Sequence, residues 1–401
     1  VGLSEKLEKL ASPGKSGSDI KSMNIPEDWR PRMDVDTVKG GFVISKPRPA
    51  GQSQDSKGIL EDYDLHPDEW IITSMRMGKW QRYDGEYLES QRLNLTPATG
   101  LDSLDARLDA EKLVDEIKKW RPERGIKQST GNASYGLFPS DQQIGKKNGD
   151  GGTQQSIDRI LELTEKSVNR YKMYQKMGLG LGTITLGLPG DHVEGNVSQN
   201  GRLQGLAASD LGITEQVRVA RRLLMAQIKA HAPLAERMIV PVINGNHDEA
   251  TRQVAADPAD GWNTEIASAV QDACAENPAL ANVEFRFPSS GHQTLVTEIC
   301  GTHVGLFHGH QANQNNIEKY LSGQSLGKTA LGHADIWISG HFHNFRTMDV
   351  GERLWCQCPT TDPGSEWYRD KAGQSSKPGL LTMVFGGDFD PREFLSVLPV
   401  R

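Results

Sequence analysis

Carboxylates, amides and imidazoles recur in this chain just past the ends of short apolar runs. Tyr135-Gly-Leu-Phe-Pro-Ser leads into Asp141-Gln142-Gln143, and Thr183-Ile-Thr-Leu-Gly-Leu-Pro leads into Gly190-Asp191-His192-Val193-Glu194. Met238-Ile-Val-Pro-Val-Ile precedes Asn244-Gly245-Asn246-His247-Asp248. His303-Val-Gly-Leu-Phe precedes His308-Gly309-His310, and Asp335-Ile-Trp-Ile-Ser precedes Gly340-His341-Phe342-His343. Oxygen and imidazole donors with no thiolate suit divalent ions such as Mn, Fe or Zn. Two such ions side by side need a carboxylate to bridge them, and Asp191 is the natural candidate.

The elements that must position these groups follow from the pattern. A buried strand fixes its backbone, so the residues just beyond its C-terminal end emerge rigidly into the crevice where α/β sheets bind ligands. Glycines beside Asp191, Asn246, His308 and His341 allow tight turns and close backbone approach. Helical spacing predicts a helix through Ile157, Ile160, Leu161, Thr164, Val168 and Tyr171, stopped at Gly178. A second, capped by Thr214, carries Val217, Ala220, Leu224 and Ile228, and a third runs through Ile266, Val270 and Cys274. Strands alternating with helices imply an α/β core, with Leu380 to Phe385 as its final strand.

Ahead of this region the texture differs. Residues 12–56 are rich in Gly, Pro, Ser and Lys and read as an irregular leader. Trp70 to Leu95 is interrupted by Asp84-Gly85, a hairpin signal. Leu104, Leu108, Val114, Ile117 and Trp120 recur at helical spacing, ended by Pro122 and Gly125. The domains expected are a leader over 1–58, a small appendage over 59–130 and a catalytic domain over 131–401.

Taken together, the five blocks resemble the calcineurin-like metallophosphoesterase superfamily, whose pattern is D-x-H, GD-x-x-(D/E), GNH(D/E), a lone His after a strand, and GH-x-H. The resemblance covers about Tyr135 to the C-terminus; any one block is weak and five in order are strong. It implies a four-layer αββα sandwich with a smaller N-terminal α+β appendage, and two divalent ions. Asp141, Asp191 and His343 would hold the first ion, and Asp191, Asn246, His308 and His341 the second. His247 would act as general acid toward the leaving oxygen, and Asp248 would orient its ring by accepting the other N–H. A hydroxide bridging the ions would attack phosphorus in line.

One departure stands out: Gln143 occupies the position of the histidine in D-x-H. Its neutral amide oxygen either ligates weakly, favouring a harder ion such as Mn, or sits behind the ligands. A decayed site is the third reading. Mn is the ion expected, ahead of Fe, Zn, Mg or Ni. His310 competes with His308 as ligand, with strand-end position favouring His308. His231, His292 and His333 read as ordinary structural histidines, and Glu194 as a turn residue or a ligand-bonding one.

Substrate choice rests on thinner signals. Lys118-Lys119-Trp120-Arg121 with Arg124 and Lys127, and Arg218, Arg221 and Arg222, could track a phosphate backbone, though each set alone reads better as a solvated face. The polar stretch from Asn196 to Thr214 suits substrate contact or a lid, and Pro363 to Tyr368 a cleft wall or a structural corner. The whole chain also resembles phage-encoded, SbcD-like members of the superfamily. That resemblance implies a phosphodiesterase acting on DNA or RNA. The alternatives are a phosphomonoesterase or small-nucleotide phosphodiesterase, and a binding module that engages a protein partner through residues 1–130.

Bulk properties set outer bounds. The chain has 401 residues, 36% of them hydrophobic, and a net charge of -7, so its surface as a whole does not advertise a polyanion partner. Cys274, Cys300, Cys356 and Cys358 are too few for a disulfide scaffold and read as reduced thiols. VGLSEKLEKL at the start lacks an apolar signal core, and no long apolar run spans a membrane. A cytoplasmic protein is expected, in the host cytoplasm if phage-encoded, alone or as a homo-oligomer.

Overall fold

The computed structural model describes residues 25–36, 40–52, 54–67, 70–82, 84–97, 117–148, 151–197, 209–251, 257–362, 364 and 377–400. The chain divides into two compact units, Val1–Ala106 and Arg107–Arg401.

In the first unit, β1 (Arg32–Asp36), β2 (Gly40–Ile44) and β3 (Arg48–Pro49) precede a short helix, α1 (Ser56–Glu61). The long strands β4 (Trp70–Gln81) and β5 (Tyr87–Pro97) then form the hairpin that Asp84-Gly85 foretold, with Gln81 opposite Tyr87. Gly85 turns the chain at φ 90°. All five strands join one sheet, with β5 paired to β2, β3 and β4. Residues 32–49 were expected as irregular leader, and that reading is corrected here. Val43 packs with Ile59, Leu60, Trp70, Leu93 and Leu95, so its apolar partners lie in α1, β4 and β5 and leave little local periodicity. The helix expected over 104–120 falls outside the described residues except for its last turn at 117–119.

The second unit begins with uninterrupted apolar strands. β6 (Ala133–Phe138), α2 (Thr153–Lys176), β7 (Leu181–Leu186), α3 (Ile213–His231), β8 (Arg237–Pro241), α4 (Trp262–Ala275) and β9 (Val283–Arg286) alternate in order. β10 (Leu295–Ile299), β11 (Thr302–Leu306), α5 (Ile317–Leu326), β12 (Ile336–Ser339), β13 (Arg346–Val350) and β14 (Arg353–Gln357) follow, and then β15 (Gly379–Phe385) and β16 (Ser396–Pro399). One sheet runs β16-β15-β6-β7-β8-β9 and the other β10-β11-β12-β14-β13. β6 through β9 are parallel, as are β11, β12 and β14. Both sheets therefore point several strand ends the same way. β6, β7, β12 and β15 are buried along their whole length, as strands covered on both faces must be.

The two sheets share an apolar layer. Phe138, Ile239, Met383 and Phe385 from one meet Val304, Leu306, Ile336, Ile338 and Leu354 from the other. Each such side chain contributes roughly 1.5–3 kcal/mol when fully buried. Leu163 of α2 packs on Leu380 and Leu398, and residues of α5 pack with Trp337 and Trp355. Two local expectations shift. Leu161 is 46% exposed, with Leu163 taking the buried face of α2. The cap of α3 is Gly212, whose N–H donates to the Glu215 carboxylate, so Thr214 lies inside the helix. Among the described residues, no helix is long and apolar enough to cross a membrane.

His231 is the core histidine the sequence indicated. Its Nδ1–H donates to the Gln227 carbonyl at 2.7 Å, and Nε2 lies 2.8 Å from the Ser167 hydroxyl. Burial pushes its pKa down to about 4. An unfolded chain takes up this proton near pH 6.5, so stability is complete above that value and falls as pH drops toward about 4. The loss is on the order of 3 kcal/mol at most, at about 1.4 kcal/mol per unit. Urea melts between about pH 7 and about pH 4.5 should show a shallower acid loss for His231→Gln than for wild type; an equal slope would contradict this.

Candidate metal centre and active site

Each of the five blocks sits just beyond a strand end, and backbone hydrogen bonds stitch the resulting loops together. Asp141 N donates to Gly190 O at 3.1 Å, Gln143 N to Asp191 O at 3.0 Å, and Gly340 N to His308 O at 2.8 Å. The turns are sharp. Asp141, Gln143, Asp191, His341 and His343 all have positive φ, between 40° and 72°. Left-handed backbone costs a residue with a Cβ about 1 kcal/mol or more, so the surrounding bonds must hold it. Close approach adds a second constraint. A Cβ at Gly245 would lie 2.1 Å from Asp191 Oδ1, and one at Gly340 2.4 Å from Asp141 Oδ2.

Asp191, His308 and His341 bring their ligand atoms within 4.8 Å of one another. Among the described residues this is the His, Cys, Asp and Glu group that converges as metal ligands do. His308 Nδ1 donates to the Pro189 carbonyl at 2.8 Å, which turns Nε2 inward. That atom lies 2.9 Å from Asp191 Oδ2 but lacks hydrogen-bond geometry. The buried Asn246 Oδ1 has no hydrogen-bond partner either. Lone pairs left facing one another in a buried place call for a proton or a cation between them. The donor set therefore fits a divalent ion. His308, not His310, joins the converging group.

The electrostatics agree. Burial alone would lower the His308 pKa, yet the adjoining Asp191 carboxylate raises it to about 9. Burial also opposes ionisation of Asp191, but His308 and His247 hold its carboxyl well below the usual range. His341, half-buried and beside His308, is pushed down to about 4 by desolvation and so offers a neutral nitrogen.

The ligand group expected for the first ion is arranged differently. His343 Nε2 lies 3.4 Å from Asp141 Oδ1, and Nδ1 lies 3.1 Å from Asp362 Oδ2. Asp141 itself accepts the His341 N–H at 3.0 Å and the Ser140 hydroxyl. Gln143 Oε1 accepts from Lys146 Nζ at 2.6 Å, and that ammonium also pairs with Asp362. Neither Asp141 nor His343 belongs to the converging group.

The Asp248 role is corrected. Asp248 Oδ2 accepts from Asp191 N at 2.7 Å and Gly245 N at 2.8 Å, while Oδ1 has no hydrogen-bond partner. The His247 ring instead meets the Glu194 carbonyl oxygen through Nδ1 at 2.7 Å, with the Glu194 carboxylate 3.5 Å away. Asp248 thus fixes the two loops that carry Asp191 and Asn246, and Glu194 orients the imidazole. Glu194 is buried, which removes the solvated-turn reading. Burial and the nearby Asp191 charge raise the Asp248 pKa to about 7.

Asp362 and Lys146 were missed from sequence. A sixth apolar run, Leu354-Trp-Cys-Gln-Cys, ends in Thr360-Thr361-Asp362, and Thr360 donates its hydroxyl to the Asp141 carbonyl. The same strand-end logic would have found Asp362. Three members of the basic sets proposed for nucleic acid, Lys118, Arg121 and Arg221, have structural partners. Lys118 pairs with Glu276, Arg121 donates to backbone carbonyls, Lys229 lies over the Trp120 ring and Arg221 pairs with Glu265. Of the proposed substrate loop, residues 198–208 lie outside the described residues, as do 363 and 365–368 of the later segment.

No protein-family model matches the chain, and no curated protein does. Solved structures similar to it include an archaeal phosphodiesterase, at 13% identity over 66% of this chain and 99% of that one, with a TM-score of 0.31. Vacuolar protein sorting 29 from Cryptosporidium parvum is 15% identical over 64% and 86%, with a TM-score of 0.29. A predicted phosphoesterase of Streptococcus pneumoniae is 12% identical over 67% and 98%, with a TM-score of 0.28. At these scores the likeness carries no argument.

Ion uptake at Asp191, His308 and His341 must displace the proton held by His308. Apparent affinity for Mn should therefore rise with pH toward about 9, near tenfold per unit for one proton. Calorimetry in two buffers of different ionisation enthalpy counts that proton. Binding that is flat between about pH 6 and about pH 8 would contradict the ligand assignment.

Proposed function

We propose that this chain is a metal-dependent phosphodiesterase, built as a four-layer αββα sandwich, that cleaves nucleic acid. The observation that carries the reading is the convergence of Asp191, His308 and His341, with the unpartnered Asn246 oxygen, on a site that Gly245 keeps open. Mn is the ion we infer from the sequence, and a donor set of oxygen and imidazole without thiolate accommodates it. When bound, such an ion supplies Lewis acidity toward phosphoryl oxygens and acidifies water at neutral pH.

The chain's own groups supply the rest. Asp191, held rigid by the His247 N–H on Oδ1 at 2.8 Å, keeps the ligand cluster in place. The Glu194 carbonyl fixes the His247 proton on Nδ1, so Nε2 is the nitrogen that gains and loses a proton. In this role Nε2–H protonates the leaving ester oxygen as the P–O bond breaks. Glu194, with its carboxylate 3.5 Å from the ring, helps keep the imidazole in this orientation. The choice of nucleic acid among diesters is supported by the sequence resemblance.

His247→Ala should lower Mn-dependent turnover of bis-p-nitrophenyl phosphate by about 10²–10⁴-fold while metal content stays unchanged. Asp191→Asn should lose both metal and activity. A panel of single- and double-stranded DNA and RNA, with p-nitrophenyl phosphate as monoester control, tests the substrate. Brisk monoester turnover beside intact nucleic acid would refute the diesterase reading.

A further inference from the structure

The ion expected on Asp141, Asp191 and His343 is still unplaced. Of these donors Asp141 and His343, together with Gln143 beside them, are tied into a continuous polar chain. Gln143 Oε1 accepts from the Lys146 ammonium at 2.6 Å. The ammonium pairs with Asp362, whose side chain is wholly buried, while Lys146 itself is only 15% exposed. Asp362 holds His343 Nδ1 at 3.1 Å, and the opposite ring nitrogen lies 3.4 Å from Asp141. A full positive charge thus already stands at the edge of this position, on the oxygen that an ion would need. Asp141 meanwhile has the His341 N–H and the Ser140 hydroxyl on its oxygens.

Charge placement makes the consequence concrete. Like charges repel most strongly where water is scarce, and a divalent ion on Gln143 would face an ammonium sharing the same ligand atom. Glutamine brings no negative charge to offset that repulsion. The carboxylate that could offset it, Asp362, is already paired with Lys146.

We propose that the Lys146 ammonium stands in for the second divalent ion. The centre then holds one ion, at Asp191, Asn246, His308 and His341, beside a built-in organic cation. This rests on the reading that those four residues bind a divalent ion.

The test counts ions and measures how they interact, independently of turnover. Full-length protein is dialysed to equilibrium against Mn, bound metal is determined by elemental analysis, and low-temperature electron paramagnetic resonance reports spin coupling. Wild type should bind one Mn per chain with an isolated-ion spectrum. Lys146→Arg should do the same, because the charge is kept. Lys146→Met combined with Gln143→His should take up a second Mn and show an exchange-coupled pair. Two coupled ions in wild type would overturn the proposal while leaving the phosphoesterase reading intact. Wild type that binds no Mn would overturn the phosphoesterase reading and this proposal with it. A double variant that folds yet still binds one ion would also overturn the proposal. If the double variant does not fold, the wild-type stoichiometry and spectrum decide alone.

Discussion

The architecture of the centre depends on how Asp191 is held. Its backbone carbonyl accepts from Gln143 N and its own N–H donates to Asp248. One carboxylate oxygen takes the His247 N–H, and the other faces His308. Four loops are thus referred to one residue, which sits at φ 57° with 1% exposure. A carboxylate buried so deeply is tolerable only because donors and a protonatable ring surround it, and those same groups make it a strong anionic ligand. Asp248 does comparable work on the backbone side, holding Asp191 N and Gly245 N on one oxygen.

Strain and rigidity go together here. Of the eight non-glycine residues with positive φ among those described, Asp141, Gln143, Asp191, His341 and His343 belong to this centre. Parallel strands make the strain affordable, because β6, β7, β8, β11 and β12 deliver rigid, buried ends to one place. Loops of ordinary flexibility would relax such dihedrals and scatter the donors.

Much of this was legible because strand-end chemistry leaves a local mark. An apolar run followed by Gly-Asp, Gly-Asn-His-Asp or Gly-His-x-His identifies both the element and the group it presents. What stayed hidden was partner choice. Asp248 follows His247 directly and was assigned to its ring, but the turn sends the carboxylate to backbone N–H groups and gives the ring to Glu194. Asp362 was overlooked because its run passes through Pro359 and two threonines before the acid arrives, although the same strand-end reading applies to it. Lys146 was invisible because nothing local says that a lysine will fold back onto Gln143 and meet a residue far along the chain. β2 and β3 escaped notice for a related reason: their pairing partner β5 is distant in sequence.

The apolar layer between the two sheets has a bearing on the spacing of the donors. Asp191 and Asn246 hang from strands of the six-stranded sheet, and His308 and His341 from strands of the five-stranded one. The gap between these donor pairs is therefore gauged by Phe138, Ile239, Met383 and their counterparts, none of which is itself a donor. The greasy interior acts as a calliper: its thickness sets how far apart the two pairs of donors stand.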